Sequence, residues 1–80
     1  MRNPDRLDGF YKSFKKLHKA CFPDLRFGQL MSNFFGWIFS EKQVDFFFTE
    51  EGKMLEYFYE YCKKYNSEAL EKLKKESTDN

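Results

Sequence analysis

The chain is poor in the residues that usually carry chemistry. Its 80 residues include one histidine and two cysteines, which leaves few candidates for a zinc site, a redox Cys-x-x-Cys pair or a histidine-based catalytic centre. A glycine-rich phosphate-binding loop is also missing. The sequence therefore predicts a protein that is not an enzyme, with no catalytic or metal-binding residues and no cofactor.

Long apolar runs and an excess of one charge are missing as well. No segment approaches the ~18 apolar residues that a membrane span requires, and the N-terminus leads into a charged amphipathic stretch. Fourteen Lys and Arg oppose 13 Asp and Glu, a net charge of +1, so any electrostatic function must be local. We expect a cytoplasmic protein with no membrane partner.

The scarce reactive residues have structural interpretations. A secreted, disulfide-stapled domain of this size typically carries four or more cysteines. We therefore expect Cys21 and Cys62 to be reduced core residues, with a single bridge between them as the alternative. His18 adjoins an apolar stripe and is interpreted as a residue at the boundary of the core.

Aromatic residues, by contrast, are abundant. Eleven Phe, five Tyr and one Trp make the chain 21% aromatic although 34% of it is charged. Each aromatic side chain can bury roughly 150–250 Å², which supplies apolar area that short chains usually lack. The composition predicts a small domain with an aromatic-rich core.

The order of apolar residues predicts helices. A stripe at steps of three and four indicates a first helix from Asp5 to about Cys21, which the Phe22–Pro23 step ends. Asp24 is a candidate N-cap for a second helix, and Thr49 for a third. The segment between the second and third helices favours an extended packed loop, with a minimal β-hairpin between Trp37–Phe39 and Val44–Phe48 as the alternative.

These elements define the predicted fold. It is an all-α, compact bundle of three to four helices. Residues 1–66 form a single helical domain, and residues 67–80 form a charged C-terminal helix, or an extension of the third helix, with a frayed end.

Two kinds of side chain are candidates for binding. Basic residues lie opposite the apolar stripe of the first helix, and a further one follows Pro23; they are Lys12, Lys15, Lys16, Lys19 and Arg26. Such residues suit phosphates or an acidic protein surface, although a solvated face would look the same. Tyr11 and Tyr57 fall outside or at the margin of the apolar stripes, and exposed tyrosines favour binding surfaces.

Several segments also resemble a known family. They are Arg2–Arg6, Pro23–Leu30, Asp45–Phe47 and the acidic pair Glu50–Glu51. Over most of residues 2–65 the chain is similar to a family of small bacterial proteins without assigned activity, some carried on phages and other mobile elements. The resemblance implies a compact helical fold and a role in binding a host protein. The density of phenylalanine departs from the family pattern.

Two functions follow as hypotheses. The first is a non-enzymatic protein–protein interaction module that binds a host or cellular protein, such as a mobile-element inhibitor of a CRISPR effector; homodimerisation is a further alternative. The second is a small nucleic-acid-binding domain that uses the basic face of the first helix. Salt dependence distinguishes them, because phosphate contacts weaken steeply with salt.

Overall fold

The computed structural model describes residues 2–78, and the side chains of residues 2–76. Four α-helices are present in this part of the chain, and they are α1 (Arg6–Cys21), α2 (Phe27–Trp37), α3 (Glu51–Tyr65) and α4 (Ser67–Thr78). A π-turn, Ile38–Lys42, continues directly from α2, and a 3-10 turn, Phe46–Phe48, precedes α3. The predicted all-α class is confirmed.

The segment between α2 and α3 differs from both expectations. Residues 37–48 contain the π-turn and the 3-10 turn, and no strand is found among residues 2–78, so the β-hairpin is absent there. Gln43 ends the π-turn in the left-handed region at φ 53°. The Gln43 N–H donates to the carbonyl oxygen of Ile38, and the left-handed conformation of Gln43 directs the following N–H, that of Val44, to the same oxygen at 3.4 Å.

The residues that cap the starts of α2 and α3 also differ from expectation. The N-caps are Arg26 for α2 and Glu50 for α3, so Asp24 and Thr49 are not the capping residues. Gln29 Oε1 accepts a hydrogen bond of 2.8 Å from the Arg26 N–H at the start of α2. Thr49 instead donates to the carbonyl oxygen of Asp45 at 3.0 Å, which ties it to the preceding 3-10 turn.

Asn66 joins the ends of two helices. Its backbone N–H donates to the carbonyl oxygen of Cys62 in α3 at 2.8 Å. Its side-chain Nδ2 donates to the carbonyl oxygen of Cys21, the last residue of α1, at 2.9 Å. Both bonds satisfy carbonyls that a helix end leaves without an intrahelical partner. Helix α4 begins at the next residue and packs against α1 and α3.

The predicted tail is therefore helical as far as Thr78. The predicted frayed end includes residues 79 and 80, which lie outside the described residues. None of the described helices has the length and apolar character needed to cross a bilayer.

The core draws on all four helices and on the π-turn. Its buried residues are Leu17, Cys21, Leu30, Phe34, Ile38, Phe58, Tyr61, Cys62 and Leu70. Phe58 lies at the centre, with its ring centroid 4.7 Å from that of Phe14 and 5.0 Å from that of Phe34. Only three aromatic side chains, Phe34, Phe58 and Tyr61, are among the buried residues, so the core holds fewer rings than the composition suggests.

We predict that Phe58 of α3 and Phe48 of the 3-10 turn differ sharply in their contribution to the stability of the fold. Phe58→Ala should lower the free energy of unfolding by about 3–5 kcal/mol, because Phe58 is fully buried among other rings. Phe48→Ala should change it by less than about 0.5 kcal/mol, since Phe48 is 78% exposed. Urea denaturation followed by circular dichroism measures both values.

Phe58→Leu provides a milder variant if Phe58→Ala does not fold. It keeps an apolar side chain and should fall between the alanine variant and the wild type. Equal losses for Phe58→Leu and Phe48→Ala would contradict the assignment of Phe58 to the centre of the core.

Candidate functional site: a groove lined by aromatic rings

Many aromatic side chains remain at the surface. Eight are exposed, and they are Tyr11, Phe27, Phe39, Phe46, Phe47, Phe48, Tyr59 and Tyr65. Phe47 and Phe48 are the extreme cases, at 77% and 78% exposure. Scattered apolar side chains are normal on a protein surface, whereas a contiguous group marks a place of contact.

Four of the exposed rings line one groove between α1, α2, the 3-10 turn and the start of α3. We call it the ring groove, and its volume is about 320 Å³. Its lining residues are Phe10, Tyr11, Phe14, Phe27, Met31, Phe34, Phe35, Phe46, Phe47, Thr49, Glu51, Met54 and Phe58. Phe34 and Phe58 are core residues, so the floor of the groove is the hydrophobic core itself.

Ring contacts hold the walls of the groove. Phe46 stacks on Phe35 with centroids 4.2 Å apart and planes 8° apart. Phe14 packs on the floor residue Phe58 and meets Phe27 edge to face at 6.4 Å. Tyr11 meets Phe10 edge to face at 5.2 Å. Such offset and edge-to-face pairs are favourable beyond their buried area, so they stabilise the walls of the groove.

The 3-10 turn is fixed by local hydrogen bonds. Asp45 Oδ1 accepts from the Phe47 N–H at 2.9 Å, and the Thr49 hydroxyl donates to the Asp45 carbonyl oxygen. Three consecutive phenylalanines cannot all face a single core in so short a turn. Phe46 therefore packs on Phe35, while Phe47 and Phe48 remain exposed. The π-turn before it is a kind of element often found at functional sites.

Two ion pairs join the N-terminal segment and α1 to the start of α3, beside the groove. Arg6 Nε donates to Glu51 Oε1 at 2.8 Å, and Arg2 pairs with Glu50. The hydrogen bond from Arg6 lowers the pKa of the Glu51 carboxyl below its ordinary value. The negative charges of Glu50 and Glu51 are thus each balanced by an arginine.

The predicted basic residues are exposed. Lys12, Lys15, Lys16, Lys19 and Arg26 all face solvent, and none of them belongs to an ion pair found among residues 2–76. Lys15 lies one helical turn after Tyr11 and directly follows Phe14, while Arg26 directly precedes Phe27. Lys15 therefore lies on the same side of α1 as Tyr11, and none of the five basic residues lines the groove itself.

The predicted tyrosines are separated. Tyr11 lines the ring groove, whereas Tyr57 lies on α3 in a different, shallow pocket that includes Lys42 and Glu60. The Lys53 ammonium lies 5.3 Å from the centroid of the Tyr57 ring, a cation–π contact. Tyr11 thus lines the ring groove, whereas Tyr57 lies apart from it.

The exposed phenylalanines of the groove were missing from the sequence-based candidates. Phe27 lies in the predicted second helix, and Phe46 and Phe47 lie in the segment predicted to be an extended packed loop. The run Phe46–Phe48 held a usable signal, because three adjacent rings cannot share one buried face. The sequence holds no signal that Phe27 is exposed, since its position fits the apolar stripe of the second helix.

The reactive residues lie away from the groove, in structural positions. His18 Nε2 donates to the carbonyl oxygen of Leu25 at 3.0 Å, which fixes the loop after α1. Cys21 and Cys62 are free and buried, and burial raises the pKa of both thiols. Residues 2–76 contain no cluster of three or more His, Cys, Asp or Glu side chains that could hold a metal ion.

Comparison of the chain with family models, with curated proteins and with solved structures finds no match. The groove must therefore be interpreted from its own residues.

We predict that Arg6→Ala raises the pKa of Glu51 toward its ordinary value, because the variant removes the hydrogen bond that favours the carboxylate. In the wild type this interaction stabilises the fold at pH values above the pKa of the carboxyl in the unfolded chain. The stabilisation is lost as pH falls through the lowered pKa. NMR titration of the glutamate carboxyls measures the shift; Lys12→Ala is the control, and an equal shift there would contradict the pairing.

We also predict that both cysteines react slowly in the folded protein. A protonated, buried thiol is a poor nucleophile, and Cys62 is fully buried. An aromatic disulfide reagent at pH 8 should label neither thiol rapidly until urea unfolds the chain, when both should react. Rapid labelling of the native state would show that α1 and α3 separate readily.

Proposed function

We propose that this protein is a non-enzymatic protein-binding module and that the ring groove is its contact surface. The observation that supports the proposal most directly is the convergence of Tyr11, Phe27, Phe46 and Phe47 on one groove whose floor is the core. Aromatic side chains are enriched among residues that dominate binding energy at protein interfaces. A partner that covers these rings removes apolar surface from water.

The polar content of the groove supports binding over catalysis. The polar side chains of its lining are the hydroxyls of Tyr11 and Thr49 and the carboxylate of Glu51. Glu51 is already held by Arg6, and a mechanism would need a nucleophile, acid or base within reach of one another. The groove offers shape and apolar area instead.

Binding of nucleic acid is the second candidate, and the five unpaired basic residues favour it. Exposed rings could stack on bases while lysines contact phosphates. However, base edges that enter the ring groove would lose hydrogen bonds to water and find few replacements there. A protein partner therefore fits the groove better. Contacts to phosphate would be made by the lysine face of α1 alone, which we define as Lys12, Lys15, Lys16 and Lys19.

The identity of the partner follows only from the resemblance. If the chain shares the role implied for small mobile-element proteins, its partner is a host protein, and inhibition of a complex such as a CRISPR effector belongs to this proposal. Homodimerisation through the exposed rings is the alternative within the same class.

We predict that replacing two groove rings weakens binding. Phe27→Ser with Phe47→Ser should weaken partner capture at least tenfold, because truncating a central aromatic anchor at an interface typically costs ~2 kcal/mol or more. Phe39→Ser with Tyr65→Ser is the matched control, since both residues are exposed and neither lines the groove. The measurement is quantitative capture by immobilised protein from nuclease-treated host lysate.

The lysine face is tested in the same assay. Lys12→Glu with Lys16→Glu and Lys19→Glu should leave protein capture largely intact. Capture that depends on these lysines, disappears after nuclease treatment and falls by orders of magnitude with moderate salt would replace the protein-binding proposal with the nucleic-acid one.

A further inference from the structure

A second groove lies on a different side of α1, where this helix meets α3 and α4. Its volume is about 450 Å³. We call it the leucine groove, and its lining residues are Ser13, Lys16, Leu17, Leu55, Tyr59, Leu70, Leu73 and Lys74. It shares no lining residue with the ring groove, so the two surfaces can act independently.

The apolar part of the leucine groove is mostly aliphatic. Leu17 and Leu70 form its floor, since both are core residues, at 5% and 1% exposure. Leu55 and Leu73 are only partly buried and pack against the core. The helices thus cover these leucines incompletely. A ligand that fills the groove removes the remaining apolar surface from water, which is favourable.

The charged side chains in the lining are both lysines, Lys16 of α1 and Lys74 of α4. The Lys74 ammonium lies 5.0 Å from the centroid of the Tyr59 ring. This cation–π contact keeps the ammonium beside the groove, because Tyr59 is itself a lining residue. Lys16 belongs to no ion pair found among residues 2–76. The positive charge therefore belongs to the lining itself.

The acids next to the leucine groove are already paired. Three glutamates adjoin lining residues in the chain, and each pairs with a lysine; the pairs are Glu56–Lys53, Glu60–Lys42 and Glu71–Lys74. Helix α1 carries no acid after Asp8. One of the two lining lysines is thus shared with an acid, and the charge of Lys16 is left uncompensated.

These features favour an anion that carries an apolar chain. An alkyl chain has no hydrogen-bonding groups, so it covers the leucines without leaving a buried polar group unpaired. A carboxylate at its end can accept charge-assisted hydrogen bonds from the two ammonium groups. The volume of about 450 Å³ also falls within the ~300–1,000 Å³ that is typical of sites for small molecules.

We infer that the leucine groove binds a free fatty acid, whose alkyl chain lies along the four leucines and whose carboxylate is held by Lys16 and Lys74. Lysine suits this position, because its stem can pack on apolar surface while its ammonium stays at the edge with water. The inference goes beyond the proposed protein-binding function and does not depend on it.

The test is a titration with decanoate at pH 7, followed by NMR of leucine methyl groups. Four of the seven leucines line the groove, and the other three, Leu7, Leu25 and Leu30, do not. We expect saturable shifts for Leu17, Leu55, Leu70 and Leu73, and none for the other three. Octanoate, which is two methylenes shorter, should bind roughly tenfold more weakly, since each buried methylene contributes to affinity.

Substitutions of lysine test the carboxylate contact. Lys16→Gln/Lys74→Gln should weaken decanoate binding about fivefold, because exposed ion pairs contribute modestly. Lys15→Gln/Lys72→Gln is the matched control, since it also removes one lysine from α1 and one from α4 but neither lines the groove. This control should bind decanoate like the wild type. Thermal melts establish that both variants keep the fold.

A ligand with the same chain and a cationic head, decyltrimethylammonium, separates charge recognition from apolar contact. The wild type should bind it several-fold more weakly than decanoate, and Lys16→Gln/Lys74→Gln should remove that difference. Equal binding of the two ligands by the wild type would show that the groove does not select an anion, which overturns the inference.

Two further results would also overturn it. One is the absence of leucine methyl shifts at millimolar decanoate. The other is loss of decanoate binding in Phe27→Ser/Phe47→Ser, which would place the ligand in the ring groove. The lysate capture assay reports on the ring groove alone, so failure of the fatty-acid site leaves the proposed protein-binding function standing.

Discussion

The packing of rings around Phe58 is the interaction on which both the fold and the groove depend. Phe58 contacts Phe14 of α1 and Phe34 of α2, and thereby holds three helices at one point. The same residues form the floor and part of the wall of the ring groove. A change that loosens this centre would therefore deform the binding surface together with the core, since protein interiors are close-packed.

The molecule places its surplus of rings at the surface instead of in a larger core. An 80-residue chain encloses only a small interior, and the aliphatic residues Leu17, Leu30, Ile38 and Leu70 already occupy much of it. Five further rings, Phe14, Phe22, Phe35, Trp37 and Tyr57, are partly buried and pack on the core, and eight others are exposed. Among the buried side-chain nitrogen and oxygen atoms of the described residues, one has no hydrogen-bond partner, and it is Trp37 Nε1. Its ring lies 5.7 Å from the Lys42 ammonium, which itself pairs with Glu60.

Charge organises what the rings leave open. The arginines near the N-terminus are used within the protein, because Arg2 and Arg6 neutralise the acids at the start of α3. The lysines of α1 have no such internal role, and they remain available along one face. A chain with almost no net charge can in this way present a locally basic surface on α1.

Some local features could be predicted from sequence, and others could not. The apolar stripe of α1 and the Phe22–Pro23 step indicated a helix close to Arg6–Cys21, because these signals arise within the helix itself. The caps were less accessible. Asp24 and Thr49 have suitable side chains, but the chain path is decided by Gln29 at one helix start and by the Asp45–Thr49 hydrogen bonds at the other.

By itself the sequence determined the helical class, the lysine face of α1 and the scarcity of reactive side chains, because periodicity and composition are properties of the chain alone. Only the tertiary structure decided which rings are buried and that Tyr11, Phe27, Phe46 and Phe47 meet at one groove. A stripe of apolar residues shows that a helix has a face to cover. How much of that face the other helices cover depends on their packing, and no local pattern records it.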